Sequence, residues 1–105
     1  MRKIDLTNYD VEVLTEKGFE TKPFSAKIAM AAILYHPDLR LGYKELFEND
    51  RVAQKINSAQ DSVLLEEAEY LKLKHAFETI KGFGREDVEL VRRVLEAPEV
   101  EVKEG

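Results

Sequence analysis

The sequence predicts a helix-dominant α+β domain, with an N-terminal two-stranded β-ribbon packed on three or four short α-helices. Residues 4–21 alternate apolar and polar side chains about a Thr15-Glu16-Lys17-Gly18 turn signal, the period-two pattern of paired strands. From Ser25 onward apolar residues recur instead at helical spacing, in runs separated by proline, glycine or short polar stretches. The 105 residues, 44% of them hydrophobic, suffice for one core without metals or disulfides.

In the ribbon, Ile4 and Leu6 alternate in one parity, and Tyr9, Val11 and Val13 in the other. The phase slips at Asn8, as it does at a β-bulge. Gly18 supplies the positive φ of the turn, and Phe19 and Thr21 open a return strand that Pro23 is expected to end. A two-stranded ribbon is marginal alone, so it should lie on helices.

A helix from Phe24 or Ser25 to Tyr35, capped by Ser25 and stopped ahead of Pro37, is expected at the centre of the domain. Between Ala26 and Tyr35 its only charge is Lys27, so nearly every face is apolar and should be covered. Leu39 to Ala59 is helical again. Tyr43, Leu46 and Phe47 form one stripe and Val52, Ala53 and Ile56 another, with Asn49-Asp50 as a candidate cap for a fresh start at Arg51. Residues 57–62 read as a surface loop.

The third helix begins near Leu65 or Glu66, where Glu66, Glu67 and Glu69 complement its positive end. Tyr70, Leu73, Phe77 and Ile80 form its core stripe, and Leu71 lies off it. Gly82 is placed to end this helix and Gly84 to let the chain reverse into a last one, from Arg85 or Glu86 to Ala97, burying Val88, Val91 and Leu95. Residues 1–98 thus read as one compact domain, and 99–105 as a charged tail that is either mobile or a short edge strand.

Composition narrows the function. Cysteine is absent, which removes thiolate nucleophiles and Cys-based zinc sites and fits a cytoplasmic location. No secretory signal is evident, and no window approaches the ~18 consecutive apolar residues of a membrane span. The net charge of −5, with mixed signs, opposes non-specific attraction to nucleic acid.

Chemistry-bearing constellations are equally sparse. The histidines are His36 and His75, neither in a nucleophile elbow nor at paired metal-ligand spacing, so no catalytic residue, no metal site and no cofactor is assigned. The glutamates at 66, 67 and 69 read as a solvated helix start. Gly82-Phe83-Gly84-Arg85 has the minimum for holding an anion but lacks a P-loop's lysine. Lys44, Arg51 and Lys55 would reach phosphates from one side if residues 42–59 formed a helix-turn-helix, a nucleic-acid-binding alternative that the interleaved Glu45, Glu48 and Asp50 oppose.

Two resemblances complete the reading. Tyr35-His36-Pro37-Asp38 at a helix end resembles the His-Pro-Asp loop of J-domain co-chaperones, with Tyr9–Leu14 upstream and Ile56–Ala59 downstream similar to other parts of such a domain. That resemblance implies an all-helical fold and an Hsp70 partner engaged through His36, Pro37 and Asp38. A broader one covers the order of ribbon, helix ending in Tyr35-His36-Pro37-Asp38-Leu39, and the runs Leu64–Tyr70 and Phe83–Ala97. It is similar to small proteins encoded in bacteriophage and prophage clusters, which implies a virion-assembly, structural or host-interaction role and brings no catalytic residues. The residues themselves favour a non-enzymatic protein–protein interaction or assembly module, a protein partner or self-association, and contacts through Leu71, Phe83, Val100 and Val102.

Overall fold

Two small antiparallel sheets and four α-helices make up the described residues. The computed structural model describes residues 1–101; Val102 lies outside the described residues. Strand β1 (Arg2–Asp5) pairs with β4 (Ser62–Leu65), while β2 (Tyr9–Thr15) and β3 (Gly18–Phe24) form the expected hairpin. The helices are α1 (Ala26–Ile33), α2 (Tyr43–Ser58), α3 (Glu67–Thr79) and α4 (Val88–Leu95), with 3-10 turns at Pro37–Leu39 and Arg85–Asp87.

The phase slip at Asn8 is a change of sheet, not a bulge. The Asp5 carboxylate accepts hydrogen bonds from the N–H of Thr7 (2.9 Å) and its hydroxyl (2.6 Å), closing β1 with a side-chain-capped turn. Ile4 and Leu6 then face the core, whereas Tyr9, Val11 and Val13 belong to the hairpin. Gly18 takes the positive φ of +103° at the turn. Pro23 does not end β3, which runs to Phe24. Counting alternate pairs from Thr15↔Gly18, Pro23 opposite Asp10 falls where a backbone N–H would face away from β2, so no ladder bond is forfeited.

The unexpected strand is β4. Its apolar triplet Val63-Leu64-Leu65 blurs the alternation, yet Val63 and Leu65 are buried and Leu64 faces out; Val63 lies opposite Ile4, Leu64 opposite Lys3 and Leu65 opposite Arg2. Beyond it, Arg2 bridges Glu99, Lys3 N–H donates to Pro98 O at 3.0 Å, and Val100 N–H to Met1 O at 2.7 Å. Strand β1 is thereby held on both sides.

Ser25 caps α1 through its hydroxyl, which accepts from Ile28 N–H at 3.4 Å. The helix buries Ala26, Met30, Ala31 and Leu34 against its neighbours but leaves Ile28 and Ala32 open, so it is not covered on all sides. Helix α2 is continuous through Asn49 and Asp50. Asn49 is buried and spends its side-chain donor on Leu34 O at 2.9 Å, so it pins two helices together and caps nothing. With no break at Asn49, residues 42–59 do not form a helix-turn-helix.

Glu66 and Glu69 close a reciprocal capping box at the start of α3. Tyr70, Leu73, Phe77 and Ile80 are buried as their spacing predicts. Gly82 has a φ of +92° in the link to the last helix. In α4 the buried side is Leu90 and Val94, continued by Ala97, whereas Val88 and Leu95 are exposed and only Val91 of the expected stripe packs against the core. Residues 88, 91, 95 and residues 90, 94, 97 both fit a helical period; the Tyr70 hydroxyl, donating to Val94 O at 2.7 Å, shows which side turns inward.

Candidate functional site

The core closes without consuming two groups of large apolar side chains, and both sit on well-formed elements. The first is at the end of the β2–β3 arm. Leu14 and Phe19 are direct cross-strand partners on one face of the hairpin, 75% and 68% exposed. Midway along the arm Glu12 pairs with Arg85 at 3.5 Å, and the main anchor is at its base. There Tyr9 and Phe24 pack at 5.0 Å between ring centres, the Tyr9 hydroxyl donates to Glu86 O at 2.8 Å, and the Arg93 guanidinium lies 5.0 Å from the Tyr9 ring centre.

Arg93 is the hub of that base. Its side chain, almost fully buried, donates to Thr7 O at 2.6 Å, Asp5 O at 3.4 Å and Glu89 Oε1 at 3.1 Å. Burial raises the Asp5 carboxyl, but the two Thr7 hydrogen bonds and the charges of Arg93 and Lys3 bring it below the usual range. The Arg93 donors at this junction are thus turned toward partners within the chain.

The second group lies on the outer face of α2. At about 100° per residue, Tyr43, Phe47, Arg51 and Lys44 fall within one arc. Opposite it lie the buried Asn49, Val52, Ala53 and Ile56. Tyr43 is 79% and Phe47 69% exposed, with half-exposed Leu46 at their margin. Glu48, flanked by Lys44 and Arg51, is already bound to Lys72. Its carboxyl is held below the usual range first by that hydrogen bond and then by the charges of Lys72, Lys44 and Arg51. Asp50 shares this face and accepts only from the neutral Tyr35 hydroxyl and Gln54, so against Lys44 and Arg51 the surroundings of Tyr43 and Phe47 keep a positive excess of one charge.

Ahead of α2, on the side of Glu45 and Asn49, Arg40 sits at φ +48°, the one non-glycine residue with positive φ among those described. It borders an open groove of about 520 Å³ running from Leu39 and Leu41 to Leu71, Lys72 and His75.

Leu71 lines this groove and is 52% exposed. Phe83 is spent inside the protein, stacked on Phe77 at 5.6 Å and packed against the core. Val100 is half-buried, its backbone paired with Met1. The structure does not bring these three together. His36 Nδ1 accepts from Asp38 N–H at 3.1 Å, so the His36-Pro37-Asp38 loop caps its own 3-10 turn. Lys27, the one basic residue of α1, is committed to Ala59 O, and the two sheets differ from the all-helical fold that the J-domain resemblance implies.

The remaining acidic and anion-binding candidates have local partners. Glu67 pairs with Arg2 at 3.3 Å. Glu69 takes Lys55 Nζ and Glu66 N–H, each at 2.9 Å. Gly84 N–H, the donor an anion would use at the Gly82-Phe83-Gly84-Arg85 turn, is taken by Asp87 Oδ2 at 2.9 Å.

Sequence reasoning passed over Leu14, Phe19, Tyr43 and Phe47 as contact residues, although signals existed. Leu14 breaks the alternation of Tyr9, Val11 and Val13. In a helix unbroken at Asn49, Tyr43 and Phe47 cannot share a face with Val52 and Ile56. No family model matches the chain, and neither a curated protein nor a solved structure is significantly similar to it.

Proposed function

We propose that this chain is a non-enzymatic protein–protein interaction and assembly module whose working surface is the outer face of α2. One observation carries the reading: Tyr43 and Phe47, one helical turn apart, stay open to solvent beside Lys44 and Arg51 while the core is closed by other residues. Exposed aromatic side chains flanked by arginine match the composition of protein contact surfaces, where rigid rings lose little entropy on docking. The polar clefts support chemistry less well, because Arg93, Glu89, Glu69 and Asp87 are engaged in holding elements together.

The test is the double variant Tyr43→Ser/Phe47→Ser. Both positions are exposed, so folding stability should change by no more than ~0.5 kcal/mol per site. Wild type should form a defined complex, with a second copy or with a protein retained from the source cell, and the folded variant should lose it. Equal retention by both proteins, or no complex with either, overturns the proposal.

A further inference from the structure

We infer that the occupant of the α2 face is a second copy of this chain, which seats the Leu14–Phe19 tip of its hairpin arm on Tyr43 and Phe47. The inference deepens the assembly reading and rests on it. Tip and face match in kind and in charge. The tip offers a cross-strand apolar pair, Leu14 opposite Phe19, both mostly exposed. Around it the arm carries Asp10, Glu16 and Glu20 against Lys17 and Lys22, with Glu12 paired to Arg85 at 3.5 Å, an acidic excess of one. The face offers two rings one turn apart with Lys44 and Arg51 against Asp50, a basic excess of one, and the nearby Glu48 is neutralised by Lys72. Acidic surface thus meets basic surface around an apolar centre, the arrangement that steers association and fixes register.

The arm has the shape for this. Two seven-residue strands at ~3.4 Å per residue reach roughly 24 Å, in a molecule 52 Å long and 21 Å thick. Tip and face are different patches, and in a two-fold pair exchanging arms each tip meets the other copy's face, which satisfies both sites of both copies. Aromatic rings beside cations could also stack on single-stranded nucleic acid. The chain's net charge of −5 opposes that ligand, while the tip carries its own apolar pair and acidic excess to the face.

Sedimentation velocity on the full chain over a wide concentration range tests the inference, with circular dichroism confirming that each variant folds. Wild type should associate. Leu14→Ser/Phe19→Ser and Tyr43→Ser/Phe47→Ser should each weaken association at least ~10-fold. An equimolar mixture of the two should recover a complex, because it retains one intact tip and one intact face. Glu16→Lys/Glu20→Lys should weaken association and be rescued by Lys44→Glu/Arg51→Glu on the partner.

If wild type associates but the mixture stays monomeric, the tip-on-face contact is wrong and the assembly reading survives. If wild type remains monomeric at every concentration, this inference is overturned. If it then retains an oligothymidylate through Tyr43 and Phe47, the assembly reading falls as well.

Discussion

Asn49 donates its side-chain N–H to the Leu34 carbonyl across 2.9 Å, joining the middle of α2 to the end of α1. Asn49 is buried, and that carbonyl lies where α1 runs out of internal donors. Replacing Asn49 strands the acceptor. Asn49→Ala should lower unfolding free energy by about 1–3 kcal/mol, and Asn49→Leu should also destabilise despite its greater hydrophobicity. Urea denaturation measures both; an Asn49→Leu protein as stable as wild type would show that the hydrogen bond contributes nothing net.

Arg93 ties the junction between the two sheets to α4 through a planar fork that lysine cannot reproduce. Arg93→Lys keeps the charge but loses the simultaneous contacts to Thr7 O, Glu89 and the Tyr9 ring. It should cost about 1–3 kcal/mol. The loss should be local as well as global, with amide exchange across Tyr9–Thr15 accelerating more than across β1. Uniform acceleration would contradict the role of Arg93 as the anchor of the arm.

Stability should fall in acid, and Glu69 should account for part of the fall. Burial pushes its carboxyl up, but the Lys55 ammonium and the Glu66 N–H outweigh that and hold it below the usual range. The folded carboxyl therefore binds its proton less readily than the unfolded one. Its contribution is complete above the unfolded value of ~4.3 and is lost as pH drops through the lower folded value. Glu69→Gln should cost about 0.5–1.5 kcal/mol at pH 7 and flatten the stability profile below pH ~4.3. Parallel profiles for the two proteins would remove Glu69 from the account.

Gly82 holds a φ of +92° in the turn joining α3 to the last helix, with open space where a Cβ would stand. Backbone strain alone, and no clash, should therefore make Gly82→Ala less stable by about 1 kcal/mol. Thermal unfolding reads this directly, and an unchanged midpoint would mean that the turn relaxes into another conformation.

Local signals made much of this fold legible. Ser25 as a cap, Gly18 in the turn and the Tyr70-Leu73-Phe77-Ile80 stripe each depend on residues within a few positions of one another, and each is found where the pattern places it. What escaped depends on distant partners. Val63-Leu64-Leu65 is a strand because Arg2, Lys3 and Ile4 lie beside it, about sixty positions away. The face that α4 buries, Leu90 and Val94, is one of two equally helical alternatives, and it packs on a core drawn from distant parts of the chain.

The candidate site was less legible for the same reason. Whether Phe83 is a contact residue or Phe77 covers it, and whether Tyr43 is core or surface, is decided by packing that no short window contains.

The placement of β1 orders events during synthesis. This strand is synthesised before both of its neighbours, residues 62–65 on one side and 98–100 on the other. Ile4 and Leu6 stay unshielded until those later residues arrive, and the β2–β3 arm gains its base contacts only when Glu86 and Arg93 follow. The nascent protein thus holds an early strand in waiting while the body that will cover it is made.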